Sequence, residues 1–192
     1  MVRAGFLLMF ASLAVLVAAL EAGAGPEIVT WPLLLAGLGM GALASQLGSV
    51  TVSSVPDEQS GEVGGLQNTV TNLGISVGTA LTGAIVIAAL SSSFLGGVEE
   101  NPAVPAAVKA RASTELSGGI PFLSNEELET ALDEARVSPR GTEAIVEENE
   151  TARIVGLRTA LAVLAIFALL GLFFTGRLPT RQPSATPETA VT

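Results

Sequence analysis

The apolar residues of this chain are gathered into four long stretches, with most polar residues between them. These stretches cover residues 4–20, 31–55, 64–90 and 154–176. A bilayer core of roughly 30 Å is crossed by about 20 mostly apolar helical residues, and each stretch reaches or nearly reaches that length. Helices are required because lipid offers no partner to an open N–H or C=O group. The pattern therefore predicts an all-α, polytopic membrane protein with four transmembrane helices.

The first stretch has an alternative interpretation as a cleaved signal peptide. Residues 1–20 combine a basic start at Arg3 with an apolar run, as signal peptides do. The segment that follows, Ala22, Gly23 and Ala24, is a weak match to a cleavage site, and three further apolar stretches come after it. We therefore interpret residues 4–20 as a membrane span.

The basic residues near the spans predict the orientation. Arg3 precedes the first span and Arg177 and Arg181 follow the fourth, whereas residues 21–30 contain no base. The positive-inside rule then places both termini in the cytoplasm, in a multi-pass protein of the cell (plasma or inner) membrane. Residues 177–192 are rich in Thr, Ser and Pro, and we expect a disordered cytoplasmic tail there.

The insert between the third and fourth spans, residues 91–153, carries most of the charge. It holds twelve acids and five bases in a chain of net charge -9. We expect a short helix within residues 102–114 and a capping box with Ser124 at the N-cap and Glu127 reaching back. A further helix should start at Ser138 and Pro139 and run into the fourth span. This extracytoplasmic insert either packs as a small helical cap or remains a solvated acidic loop with fraying helices.

Composition limits the chemistry. The chain has no Cys, His or Tyr, which excludes thiol chemistry, disulfides and the usual zinc and haem sites. Acids such as Glu126 and Glu129 fall on a predicted helix rather than in a calcium-binding loop. Asn149 begins an Asn-Glu-Thr glycosylation pattern, but this match is short and close to the membrane. We predict no enzyme, no catalytic residue, no cofactor, no metal and no nucleic-acid partner.

Small residues follow one face of each of the two middle spans. Gly37, Gly41 and Ser45 recur every fourth position in the second span, as do Gly74 and Gly78 in the third. Such faces let two helix backbones approach closely in lipid. The pattern predicts inter-helix packing, either as a surface on which two bundles rock or as ordinary static packing.

Amides at membrane depth are the other unusual feature. Gln46 lies near the middle of the second span, and Asn68 and Asn72 lie one turn apart in the third. Unpaired amides in hydrocarbon are costly, so these side chains should face protein or a wet cavity. For Gln46 a substrate cavity and a helix–helix hydrogen bond are both open, whereas for the two asparagines we favour an inter-helix role. Arg158 should extend outward to Glu150 or to lipid headgroups as an anchor.

Residues 55–89 resemble the cytoplasmic turn and penultimate span of the EmrB/QacA-type drug:proton antiporters, the fourteen-span branch of the major facilitator superfamily. That family shows a Pro, a Gly-rich step, an Asn-Thr pair and spaced glycines, which correspond here to Pro56, Gly61, Gly64, Gly65, Asn68, Thr69, Gly74, Gly78 and Gly83. The string Gly-Ile-Pro-Phe-Leu-Ser at residues 119–124 and the Ala160–Leu161 pair are also similar to family features. The basic residue that often follows the Asn-Thr pair is missing.

The resemblance implies that these are the last four spans of a transporter that exports drugs or other small amphipathic molecules by proton antiport. Gln46 would line the central cavity, and the third span would face the other half of the protein. Partners would be the lipid bilayer, the remaining transmembrane helices and small hydrophobic or cationic substrates. The chain alone should be inactive, because the family's coupling acids lie in earlier spans. The alternative is a free-standing four-span protein whose extracytoplasmic cap binds a partner.

Overall fold

The computed structural model describes residues 2–21, 25–52, 55–115 and 123–177. Within those residues the chain forms helices and no strand, as predicted. The α-helices are α1 (Val2–Ala19), α2 (Glu27–Val52), α3 (Ser60–Glu100), α4 (Ala106–Glu115), α5 (Asn125–Glu134) and α6 (Pro139–Phe174), with short 3-10 turns at Asp57–Gln59 and Thr175–Arg177. The tail beyond residue 177, predicted to be disordered, lies outside the described residues.

Four of these helices, α1, α2, α3 and α6, are long and apolar enough to cross a membrane. Each overlaps one of the four predicted spans. About half of their large apolar side chains are exposed on the outside of the molecule, including Leu38 on α2, Leu73 on α3 and Phe173 on α6. An apolar outer surface of this kind is what contact with lipid chains requires.

Two of the four helices extend well past the predicted span limits. The third span was expected to end at residue 90, but α3 continues to Glu100, and α6 begins at Pro139 rather than at residue 154. At 1.5 Å per residue α3 is about 60 Å long, twice the thickness of a hydrocarbon core. The expectation that a helix starting at Pro139 runs unbroken into the fourth span is confirmed.

The start of α2 also differs from the prediction. The span was expected from residue 31, but the helix begins at Glu27, so Pro32 lies inside it rather than in the first turn. Pro26 explains the earlier start, because its carbonyl accepts bonds from the Val29 N–H at 3.3 Å and the Thr30 hydroxyl at 3.1 Å. A proline at a helix start is pre-organised for the first turn.

The membrane helices form two pairs joined through α1 and α6. α1 packs along α2, α6 packs along α3, and α1 also lies against α6, while α2 and α3 touch only lightly. The contact between α1 and α6 is built from Leu13, Ala165 and Ala168. Ser12 is fully buried between α1 and α2, where its hydroxyl donates to the Pro32 carbonyl at 2.7 Å.

Glycines set the closest backbone contacts in both pairs. A Cβ built on Gly39 of α2 would lie 2.9 Å from the carbonyl oxygen of Gly5 on α1. A Cβ on Gly156 of α6 would lie 3.0 Å from the carbonyl oxygen of Val86 on α3. Because the neighbouring atoms are backbone, only glycine fits at these positions without moving a helix.

The two short helices pack with the ends of α3 and α6. We call residues 90–115, α5 and residues 139–152 of α6 the cap. Its interior is a cluster of buried apolar side chains, against which Leu128 and Leu132 of α5 pack. The buried members are Leu90, Phe94, Val98, Val104, Ala144, Ile145 and Ala152. The described part of the insert packs on this cluster, and an extracytoplasmic cap formed by the whole insert stays a prediction.

Local hydrogen bonds fix the ends of the cap helices. Ser124 and Glu127 form the predicted capping box, and the Ser138 hydroxyl accepts from the Gly141 N–H at the start of α6. α5 ends with a Val137 N–H to Leu132 carbonyl bond of 3.0 Å, and Arg136 lies between them at a φ of 56°. This is the C-terminal motif in which glycine is usually found at the left-handed position.

Candidate functional site

The small face predicted on α2 points away from the other helices that the structure describes. Gly37, Gly41 and Ser45 are exposed, and a Cβ on Gly37 or Gly41 would meet nothing within 4 Å. Gly39 lies two positions from both glycines and therefore on the opposite side of the helix, where it contacts α1. The packing within this chain thus uses a glycine that the four-residue pattern did not select. Packing of Gly37, Gly41 and Ser45 against another helix stays a prediction.

The part of α3 that carries Gly74 and Gly78 is also open. No residue from 60 to 89 is buried, and a Cβ on Gly74 or Gly78 would meet nothing within 4 Å. A close contact of α3 with α6 lies further along, at Val86 and Leu90. The part of α3 that carries Gly74 and Gly78 is therefore uncovered by the described helices.

The two asparagines of α3 bond to each other rather than to another helix. The Asn72 amide donates to the Asn68 carbonyl at 3.0 Å and to the Asn68 side-chain oxygen at 3.3 Å, and both residues are exposed. Hydroxyls along the same helix, such as Ser76 and Thr82, return to carbonyls one turn back. These bonds satisfy part of the polar surface and leave amide and carbonyl capacity facing outward.

Gln46 occupies a different side of α2 from the small face. It follows Gly39 by seven residues and Leu43 by three, so all three share the stripe that faces α1. Gly39 and Leu43 are buried there and Gln46 is half-buried. α2 approaches α3 nearby, where a Cβ on Gly48 would lie 3.9 Å from the Gln67 amide nitrogen. A role for Gln46 in a substrate cavity stays a prediction.

Arg158 forms a hydrogen bond to α1 rather than to Glu150. Its Nε donates to the Val17 carbonyl at 2.9 Å, in the last turn of α1. The last carbonyls of a helix lack partners within it, and a cation there also interacts favourably with the helix dipole. Glu150, the expected partner, accepts a bond from the Asn125 amide instead. Arg158 therefore joins α6 to the end of α1.

Polar contacts connect the cap helices. The Asn101 amide, just after α3, donates to Glu148 of α6 at 2.9 Å, and the Asn149 amide donates to the Asn125 side-chain oxygen at 3.4 Å. Asn149 is 2% exposed within a continuous helix, so its glycosylation pattern is inaccessible in the folded protein. The pKa of Glu127 is lowered, because its carboxylate accepts from the Ser124 backbone and then from the Ser124 hydroxyl.

Three clefts open on the cap. One, of about 310 Å³, lies between α4 and α5, and its floor contains Phe94, Val98 and Ile145. A second lies between the end of α3 and α4. The third is more polar and is lined in part by Arg140, Glu143 and Glu147. Among the described residues no group of three or more potential metal ligands comes together. Comparison with family models, curated proteins and solved structures found no match to this chain.

Proposed function

We propose that this chain is part of a secondary active transporter that exports drugs or other small amphipathic molecules, with the missing helices packing on α2 and α3. The observation that carries the proposal is the uncovered length of α3. No residue from 60 to 89 is buried, although this segment contains two asparagines and six glycines, Gly74 and Gly78 among them. Amides and close-packing glycines favour contact with protein over contact with lipid alone.

The open side of α2 supports the same interpretation. A Cβ on Gly37 or Gly41 would have no neighbour within 4 Å, whereas the space beside Gly39, on the other side of α2, is occupied by α1. Two helices with small residues on their free sides are suited to receive further helices at short distance. The resemblance of residues 55–89 to drug:proton antiporters supplies the substrate class, small hydrophobic or cationic molecules, and the coupling ion.

Transport by such a protein needs a second group of helices, because alternating access rocks one bundle against another around a site near the bilayer midplane. In this proposal α2 lines the cavity through Gln46, and α3 contacts the second bundle through Gly74 and Gly78. Four helices cannot form both bundles, so the chain alone is inactive. Both termini are cytoplasmic, and the cap lies outside the cell membrane or in the periplasm.

The test compares the isolated chain with the protein encoded by the complete reading frame, each expressed in cells that lack their own drug efflux pumps. The longer protein should lower accumulation of a cationic dye, collapse of the proton gradient should abolish that export, and the isolated chain should have no effect. Gln46→Leu should change which compounds are exported, while Leu47→Ile, at the neighbouring exposed position, should not. Export by the isolated chain would contradict the proposal. An unchanged resistance profile for Gln46→Leu would contradict the role of Gln46 in the cavity.

Assembly and topology are tested separately. Gly74→Leu or Gly78→Leu should block transport or assembly in the complete protein, whereas the isolated chain should tolerate both because nothing lies within 4 Å. The chain has no native Cys, so single cysteines report sidedness. Ser113→Cys on α4 should react with an impermeant thiol reagent outside intact cells, and Glu58→Cys before α3 should not. The reverse labelling pattern would overturn the orientation.

The packed cap supports a second candidate, a free-standing four-span protein whose cap binds a partner. Its apolar cluster makes it a folded unit rather than a loose connection. A reading frame that contains no further spans, together with self-association through Gly37 and Gly74, would favour this candidate over the transporter.

A further inference from the structure

The cleft between α4 and α5 is a site that neither the spans nor the export hypothesis explains. α4 packs on α3 and α5 packs on α6, so the two walls of the cleft are attached to different long helices. The cleft has a volume of about 310 Å³, at the lower end of the range of roughly 300–1,000 Å³ typical of small-molecule sites. Its size suits a small molecule rather than a two-chain lipid.

The cleft is mostly apolar. Phe94, Val98 and Ile145 form a buried floor, and Val108 of α4 and Leu132 of α5 form the sides. Ala131 and Ala135 continue the α5 wall and are exposed, so the cleft is open to solvent there. An apolar body placed in this cleft would remove these surfaces and its own from water.

Arg111 is the one charged residue among the described residues that line the cleft. The surrounding insert has twelve acids and five bases, yet no acid is found among the described residues that line the cleft. A guanidinium has five N–H donors in a planar fork that matches a carboxylate. Arg111 takes part in another interaction of the folded chain. A guanidinium carries five donors, so it can bind more than one acceptor at a time.

We propose that the cleft between α4 and α5 binds a small amphipathic carboxylate, with its apolar body on Phe94, Val98 and Ile145 and its carboxylate at Arg111. This site is in the cap and does not depend on the export of drugs. It selects against cations, because the charged group at the cleft is itself a cation.

Protection of an introduced cysteine tests the proposal on the chain in lipid nanodiscs. Ala131→Cys places a thiol in the cleft, and Thr130→Cys places one on the neighbouring position of the same helix, outside the cleft lining. Octanoate, below its micelle concentration, should slow labelling of Ala131→Cys and leave Thr130→Cys unchanged. Octanol and octyltrimethylammonium have the same octyl group without the negative charge. Each should need at least a tenfold higher concentration than octanoate to protect Ala131→Cys to the same degree.

The role of Arg111 is tested in the Ala131→Cys background. Arg111→Gln should weaken octanoate protection at least tenfold, while Arg140→Gln, which removes the same charge outside this cleft, should not. If Arg111→Gln fails to fold, the comparison of the three octyl compounds on Ala131→Cys alone still decides. Equal protection by all three, preference for the ammonium compound, or a thiol at 131 that is unreactive without ligand would each overturn the proposal.

Discussion

Gly39→Ala should separate α1 from α2, whereas Gly41→Ala should not. A Cβ at Gly39 would lie 2.9 Å from the Gly5 carbonyl oxygen and 3.0 Å from the Met9 nitrogen, and both are backbone atoms. Ordinary van der Waals contact begins near 3.4 Å, so α1 would have to move away. A Cβ at Gly41, two residues along, would meet nothing within 4 Å.

The magnitude follows from the comparison of the two variants. Both exchange a helical Gly for Ala, so the difference in intrinsic helix propensity cancels. What remains is overpacking at position 39, which typically costs about 1–3 kcal/mol. Since 1.4 kcal/mol is tenfold in an equilibrium constant, the separated state should become roughly one to two orders of magnitude more populated in Gly39→Ala.

A buried thiol measures that population. Ser12 is fully buried between α1 and α2, so Ser12→Cys reacts only when the two helices part. Labelling rates of Ser12→Cys are compared in the Gly39→Ala, Gly41→Ala and Gly37→Ala backgrounds, in mild detergent. Equal rates in all three backgrounds would refute the assignment of Gly39 as the contact between α1 and α2.

Three further variants test the cap and the helix ends. Arg158→Leu should lower the free energy of unfolding by about 1 kcal/mol, because the Val17 carbonyl loses its partner. Thiol labelling of a cysteine introduced near the end of α1 should become faster in this variant. The control Arg153→Leu, five residues away on α6, should leave that labelling unchanged. Arg136→Gly should stabilise the cap by about 1 kcal/mol in a thermal melt, because a φ of 56° is strained for Arg and not for Gly; a loss of stability would contradict this. The pKa of Glu127 is lowered in the folded state, so the Glu127 carboxylate stabilises the fold above the ordinary Glu pKa. That stabilisation should be lost as the pH falls through the lowered pKa. An acid titration that follows helix content should show the loss in the wild type and not in Glu127→Gln.

Span positions and local caps could be predicted because each depends on neighbouring residues. The four spans follow from apolar length, and the Ser124 capping box follows from two side chains three residues apart. Helix ends could not be predicted in the same way. Hydropathy falls after residue 90, but α3 continues because Phe94 and Val98 are buried against the start of α6. Hydropathy reports where a helix leaves lipid, and packing decides where it ends.

The candidate interfaces show the same division. Gly37, Gly39 and Gly41 are the same residue type on one helix, and a four-residue spacing correctly groups the first and the third. Which side of α2 meets α1 depends on Gly5 and Ser12 in another helix. The partner of Arg158 is 141 residues away in sequence, so no local pattern could identify it.

The uninterrupted course of α3 and α6 joins the cap to two of the helices that are long and apolar enough to cross a membrane. α3 is about 60 Å long, so a small change of tilt at its Ser60 end is carried to Glu100 as a larger sideways displacement. An antibody fragment that binds α4 and α5 would therefore restrain both long helices. Fluorophores on those two short helices would report rearrangements that take place far away, near the start of α3.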